Sequence, residues 1–268
     1  MKVLYPNDKT SSISASSENS SYPIVNVQDT NTQKIWKATG NTATVTLGVD
    51  AGATALVIFN TNATTITVTT RLSLGINWQT SLATFGIDWQ PALATFGLDW
   101  TVAETAITVT YDISASDIGQ LWADFATYDS GFVIDILFTA AAGTIIQAGI
   151  IQAGIPKVYK DPKYGIQEGF KDYSIVKELN SGGFYVRKRT VARTFSFQLL
   201  EDRDVDFYEF MYQIVQVVGP GPLAFRIVHK ENTDWEWIVY ALFNPDLPQG
   251  SHDHLNDSFL DIQLIESL

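Results

Sequence analysis

Polar and apolar residues alternate with a period of two along much of the first 155 residues. Thr42-Ala43-Thr44-Val45-Thr46-Leu47 and Thr65-Ile66-Thr67-Val68-Thr69 alternate small polar with apolar side chains, the pattern of half-buried strands. Leu56-Val57-Ile58-Phe59 is an unbroken apolar run between turn residues, which predicts a central strand. Ala106 to Tyr111 and Phe132 to Phe138 add two more. Ser116 to Tyr128, with Trp122 and Phe125 three apart, predicts a short helix or an irregular loop. Ile145-Ile146-Gln147-Ala148-Gly149 is repeated at once as Ile150-Ile151-Gln152-Ala153-Gly154. A shift of five reverses the face each side chain takes in a strand. One copy is therefore expected to pair in a sheet and the other to be absorbed by a bulge or turn. Residues 1–155 read as an all-β sandwich.

The pattern changes near Pro156. Lys157 to Gly165 is polar and punctuated by Pro162 and Gly165, and twelve of the seventeen basic residues lie from Lys157 onward. Tyr173 to Leu179 and Phe184 to Arg189 flank Asn180-Ser181-Gly182-Gly183, which predicts a hairpin. Thr190 to Leu200 alternates through Val191, Phe195, Phe197 and Leu199. Glu201 to Val218 predicts a helix. Its acids Glu201, Asp202, Asp204 and Asp206 fall at the start, where the helix dipole favours them. Phe207, Phe210, Met211, Ile214, Val217 and Val218 recur at helical spacing, and Gly219-Pro220-Gly221-Pro222 ends it. Strands are expected over Leu223 to Val228, Trp235 to Phe243 and Ser258 to Ile265. Residues 156–268 thus read as a small α+β barrel with one helix packed on it, and the whole chain as mainly β.

Between the strands of the first unit lies a repeat: Gly75-Ile76-Asn77-Trp78-Gln79, Gly86-Ile87-Asp88-Trp89-Gln90 and Gly97-Leu98-Asp99-Trp100. The tryptophans recur every 11 residues, as do Leu82 and Leu93, and Phe85 and Phe96. Eleven residues would make three turns of a helix, but Gly75, Gly86, Gly97 and Pro91 oppose one. A β-type excursion of stacked short turns, inserted at about 71–103, is the favoured reading. A duplicated loop without a role is the other. Repeated Trp, Phe and Leu with hardly any charge form a sticky surface unless covered. Trp78, Trp89 and Trp100, with Asn77, Asp88 and Asp99 beside them, are therefore candidates for a packing interface or a glycan platform.

Composition narrows the function. Apolar residues make up 46% and charged residues 17%, and the net charge is −12. So acidic a surface repels phosphate backbones, which argues against nucleic acid and against an anionic membrane. There is no cysteine, so disulfides, thiolate metal sites and cysteine nucleophiles are excluded together. No apolar stretch reaches a membrane span, and Met1 to Asn7 lacks an apolar signal core. A chain that neither inserts in a membrane nor carries a secretion label is expected.

No catalytic constellation emerges. His252-Asp253-His254 could supply metal ligands, but Gly250-Ser251 and Asn256-Asp257 around it mark a solvated turn. His229 stands apart. Asp88 and Asp99 are too weakly constrained to serve as a glycosidase pair. Phosphate-loop, nucleophile-elbow and dinucleotide fingerprints are absent. No enzyme, cofactor or metal is expected. Arg187-Lys188-Arg189 with Arg193 forms a small basic cluster suited to a solvated face or an acidic neighbour.

Ser16-Ser17-Glu18-Asn19-Ser20-Ser21-Tyr22-Pro23, then Asp29, then Ile35-Trp36-Lys37-Ala38-Thr39-Gly40 resembles the opening of a discoidin, galactose-binding-like domain. Leu56 to Phe59 and Ile146-Gln147-Ala148-Gly149 resemble its later parts. Followed by Thr194-Phe195-Ser196-Phe197-Gln198-Leu199-Leu200, the acid-started helix and the final strand to Glu266, the combination is similar to minor tail or tail-tip proteins of tailed bacteriophages. That resemblance implies a virion component made in the host cytoplasm. It would form a homo-oligomeric ring that contacts tail-tube, baseplate or adaptor proteins. Arg187, Arg189, Arg193, Phe195 and Phe197 would be the ring interface, and Phe207, Phe210, Trp235 and Trp237 further core or interface candidates. The sandwich would project outward to fill space or bind surface glycans. The Trp repeat has no counterpart in that pattern.

Overall fold

The computed structural model describes residues 1–72, 106–113, 119–128, 130–162, 165–178, 183–202, 205–219, 221–228, 236–244, 248–251 and 257–267. The chain is mainly β, with antiparallel sheets throughout. Strands are numbered along the chain. An outer sheet has the order β2 (Thr10–Ala15), β4 (Thr42–Val49), β9 (Phe132–Thr139), β6 (Thr65–Leu72), β7 (Ile107–Asp112). The period-two pattern does what it predicts there. Ala43, Val45, Leu47 and Val49 of β4 and Phe132, Ile134, Ile136 and Phe138 of β9 are buried, while Thr42, Thr44, Thr46 and Gly48 of β4 and Val133, Asp135, Leu137 and Thr139 of β9 form the other face.

The layer beneath is a three-stranded sheet, β11 (Ile150–Gly154), β5 (Ala55–Phe59), β8 (Leu121–Asp124). All five residues of β5 are buried, as are all five of β11. Leu56 and Ile58 face the sandwich core, where Trp36 packs on Phe138 with ring centroids 5.7 Å apart. Ala55, Val57 and Phe59 face the other way, into a second cluster with Leu4, Trp122, Ile150, Ala224 and Tyr240. The apolar run at 56–59 is continuous because both of its faces are covered.

The second cluster is the seam with an eight-stranded sheet. Its order is β12 (Pro156–Val158), β1 (Lys2–Leu4), β17 (Leu223–Val228), β18 (Glu236–Phe243), β20 (Asp257–Glu266), β16 (Val191–Asp202), β13 (Gln167–Asp172), with β19 (Gln249–Ser251) also on β20. Val3, Phe195, Phe197, Leu199, Phe225, Val239, Ile262 and Leu264 point from this sheet toward Phe207, Phe210 and Ile214 of a single helical stretch. The molecule is thus layered: outer sheet, three-stranded sheet, eight-stranded sheet, helix. The expected barrel takes the form of an open strand order, since no ladder among the described residues joins β12 to β13.

Several elements depart from the sequence expectations. The first strand, β1, belongs to the eight-stranded sheet and pairs with β12 and β17. The sandwich therefore lies between the first and second strands of the other unit in chain order. Both copies of the Ile-Ile-Gln-Ala-Gly repeat pair, in different sheets. Gln147–Ala148, β10, joins Trp36–Lys37, β3, and Ile150–Gly154 joins β5. Gly149 makes the step, with a side-chain position only 3.0 Å from the Thr32 carbonyl oxygen. Leu121–Asp124 is a strand rather than part of a helix, because Leu121, Trp122 and Ala123 are buried against β5.

The helix also starts later than expected. Glu201 and Asp202 end β16, and the helical stretch runs as Asp206–Tyr208, a π-helical Glu209–Val215 and Gln216–Val218. In β16 the inward face carries Phe195, Phe197 and Leu199, and the next inward position is Glu201, fully buried. Strand periodicity thus outweighs the preference of acids for a helix start. The Glu201 Oε1 accepts a hydrogen bond from the Lys160 backbone N–H at 2.8 Å, while Oε2 is buried without a partner. Burial first, then the charge of Asp206, pushes its carboxyl up to about 7, against the Lys160 N–H and nearby positive charge.

A polar hub centred on Asp124 sits at the seam. Asp124 Oδ2 accepts from Lys2 and from Arg226, both at 2.8 Å, and its Oδ1 accepts from the Trp122 indole at 2.9 Å. Burial pushes its carboxyl up, but these hydrogen bonds and the charges of Lys2 and Arg226 hold it below the usual range. Because the hub is partly solvated, Asp124→Asn is expected to cost only about 0.5–1 kcal/mol, and less in ~1 M salt. Urea titrations at low and high salt check this.

Candidate functional site: an exposed aromatic hairpin

The predicted hairpin forms from β14 (Ile175–Glu178) and β15 (Phe184–Arg187), with Val176 opposite Val186 and Lys177 opposite Tyr185. Among the described residues these two strands pair only with each other. An isolated two-stranded hairpin is marginally stable in water at best. This one is also apolar on its surface. Phe184 is 67% exposed and Tyr185 53%, with Val176 and Val186 likewise open. Consecutive Phe184-Tyr185-Val186 sends apolar side chains to both faces of the strand: Phe184, Val176 and Val186 share one face with Glu178, and Tyr185 and Ile175 share the other with Lys177 and Arg187.

The hairpin rises from the edge strand β13, where Phe170 is 73% exposed. The Asp172 Oδ1 accepts from the Ser174 N–H at 2.7 Å, and the Ser174 Oγ accepts from the Arg189 N–H at 3.0 Å. These bonds tie the two ends of the hairpin together. The hydrogen bonds from Ser174 hold the Asp172 carboxyl below its usual range. Lys171 lies 5.4 Å from the Tyr173 ring. An open cleft of about 380 Å³ at the root is lined by Gln33, Tyr173, Arg189, Thr190, Ala192 and Glu266.

The five residues assigned to a ring interface divide. Arg187 and Arg189 are exposed on the hairpin and just past it. Arg193 is not available in the same way. Its Nε donates to the Glu266 Oε2 at 2.9 Å and its Nη2 to Oε1 at 2.6 Å, with the two side chains only 15% and 5% exposed. Phe195 and Phe197 take the core alternative, at 0% and 5% exposure. Phe207 and Phe210 are core as well, and Trp237 packs partly buried against it. Trp78, Trp89, Trp100, Asn77, Asp88, Asp99, Trp235, His229, His252 and His254 lie outside the described residues. The described strands do fix where the Trp repeat is attached. β6 and β7 pair with Thr70 opposite Ile107, so the repeat connects two adjacent strands of the outer sheet.

Sequence reading missed the aromatic face of the hairpin and a second surface on the helix. Tyr208 and Tyr212 are 55% and 52% exposed, with ring centroids 4.7 Å apart. Val217, expected on the inner face, is 66% exposed. The signals were present, in three adjacent apolar residues at 184–186 and in tyrosines four apart, out of phase with Phe207, Phe210 and Ile214. Among the described residues, no helix is long and apolar enough to cross a membrane, and no group of three or more His, Asp or Glu side chains could hold a metal ion.

No family model matches this chain, and no curated protein matches it. Among solved structures, one chain from the X-ray crystal structure of reduced XRCC1 bound to DNA pol beta catalytic domain is similar at 14% identity. It covers 57% of this chain and 100% of that chain, with a TM-score of 0.33, a likeness too slight to support an argument about fold or function.

Proposed function

We propose that this chain is a non-enzymatic structural component of a bacteriophage virion: a minor tail, tail-tip or adaptor protein that forms a ring with copies of itself and contacts tail-tube or baseplate proteins. The observation that carries the assembly part is the hairpin 175–187. Among the described residues its strands pair only with each other, and Val176, Phe184, Tyr185 and Val186 stand exposed on it. Burying each of its aromatic side chains against another protein would yield about 2 kcal/mol, and a cyclic arrangement repeats that gain at every interface. The virion setting rests on the resemblance to phage tail proteins of the combination: a discoidin-like 16–40 segment followed by the 194–218 segment and the final strand to Glu266. The sandwich, carrying the Trp repeat between β6 and β7, would project from the ring.

Imaging the intact particle at side-chain resolution tests this reading. The expected result is density for this chain in a ring around the tail axis, with Phe184 and Tyr185 against protein. Binding to a glycan array that disappears on Trp89→Ala, together with absence of the chain from the particle, would replace it with a carbohydrate-binding function.

A further inference from the structure

The cleft at the root of the hairpin, about 380 Å³ in volume, is built from stretches of chain that lie apart in sequence. Tyr173 follows β13 and Arg189 follows β15, and the hydrogen bond from the Arg189 N–H to the Ser174 Oγ at 3.0 Å holds the two segments together. Ala192 lies in β16 and Glu266 ends β20. Both are buried and form the floor. Gln33 reaches the rim from a loop of the sandwich, fixed where the Asn31 Oδ1 accepts from the Gln33 N–H at 3.0 Å. The cleft therefore sits where the sandwich meets the eight-stranded sheet, and junctions between packed units are preferred places for small-molecule sites.

Its groups are of complementary kinds. Among the described residues, the side chains of Gln33, Arg189 and Thr190 have no hydrogen-bond or ion-pair partner. Arg189 brings a fork of N–H donors with a permanent charge, Gln33 both donors and an acceptor, and Thr190 a hydroxyl. On Glu266, Arg193 takes one position on each oxygen and Gln120 lies 3.4 Å from Oε1, which leaves acceptor capacity on a carboxylate with about four lone-pair positions. Tyr173 is 44% exposed and offers its ring. The charge of Glu266 is matched by Arg193, and Lys34, next to Gln33, is paired with Asp29. The Asp172 carboxylate is turned to the Ser174 N–H. Among the described residues, the cations at the rim without an acid partner are Arg189 and Lys171, whose ammonium lies 5.4 Å from the Tyr173 ring. We propose that this cleft binds a sugar acid, a hexose ring carrying one carboxylate. The carboxylate pairs with Arg189, a charge-assisted contact of the strong kind. The apolar face of the ring lies on Tyr173. The ring hydroxyls, which both donate and accept, are matched by Gln33, Thr190 and the spare acceptor positions of Glu266. An acidic side chain from a partner protein offers acceptors alone and leaves Glu266 facing a like charge. The inference stands beside the assembly reading and does not depend on it.

The test is titration calorimetry on the full chain at low ionic strength, with sodium glucuronate, glucose and triglutamate as probes. Glucuronate is expected to bind at least ~10-fold more tightly than glucose, with a Kd of roughly millimolar order. Arg189→Gln is expected to weaken glucuronate ~10-fold, to the level of glucose, and Tyr173→Ala to weaken both sugars ~5-fold. Both side chains are exposed, so thermal unfolding is expected to match wild type and to confirm that the variants fold. Glucuronate binding that neither variant changes, or no binding of it at about 50 mM, overturns the site. Glucose that binds as tightly as glucuronate overturns the assignment to a sugar acid. Triglutamate that binds more tightly than glucuronate, and is lost in Arg189→Gln, overturns the sugar and gives the cleft to an acidic protein segment. Each of these results leaves the assembly reading as it stands.

Discussion

Arg193→Ala is expected to destabilise the chain by about 3–5 kcal/mol, the range for breaking one partner out of a buried ion pair. The pair is bidentate, with the Arg193 fork matching both oxygens of Glu266. It sits where β16 and β20 run side by side, with Thr194 opposite Ile265 and Phe195 opposite Leu264. Gln120 Nε2 reaches the Glu266 Oε1 only at 3.4 Å, too long to replace a guanidinium. The alanine variant therefore leaves a carboxylate 95% buried without its countercharge. Removing both members, as Arg193→Met with Glu266→Leu, is expected to recover most of the loss, because the desolvation cost of both charges disappears with them. Guanidinium titrations of the two single variants and the double variant give the coupling directly. A loss below 1 kcal/mol for Arg193→Ala would mean that this arginine is free to serve elsewhere, as the sequence alone had suggested.

The second large effect is a dependence on pH. The Glu201 carboxyl has its proton affinity raised in the fold, to about 7 from 4.5, so the folded chain binds a proton more tightly than the unfolded chain. Stability from this group is fully present below about pH 4.5 and is lost as pH rises toward and through 7. The full span corresponds to roughly 3 kcal/mol. Glu201→Gln keeps an oxygen for the Lys160 N–H and carries no charge, so it is expected to flatten that dependence and to be more stable than wild type at pH 8. Urea titrations of both proteins at pH 5 and pH 8 measure it. Equal slopes with pH would show that Glu201 ionises freely in the fold.

Glu201 also shows what could be read in the sequence and what could not. Local periodicity was legible. The alternation at 42–47 and 65–69 gave half-buried strands, the run at 56–59 gave a central strand, and Asn180 to Gly183 gave a hairpin. Acids clustered at 201–206 read as a helix start, yet two of the four finish a strand, because Phe195, Phe197 and Leu199 set a register that extends to Glu201. Placement that depends on distant partners was not legible. Nothing in Lys2-Val3-Leu4 announces Pro156–Val158 and Phe225–Arg226 as neighbours. Nor does Leu121-Trp122-Ala123 reveal that β5 will bury it. The two five-residue copies at 145–154 look interchangeable in sequence, but the step at Gly149 sends them to different sheets. In the candidate site, the basic residues Arg187 and Arg189 were found because charge is visible in composition. Phe184 and Tyr185 were not singled out, because exposure of an aromatic is a property of what fails to pack on it.

That failure to pack is what the functional account turns on. The helix and β16 bring Phe195, Phe197, Phe207 and Phe210 into one core, so the chain can hide aromatic side chains where it needs to. Phe184, Tyr185, Tyr208 and Tyr212 remain outside it, exposed on the hairpin and on the helix. The most direct measurement is the molar mass of the purified chain by light scattering, followed from low to high concentration. The account predicts one closed multiple of the 29.6 kDa chain at all but the lowest concentrations. A mass of 29.6 kDa across the whole range, with no association, would contradict it.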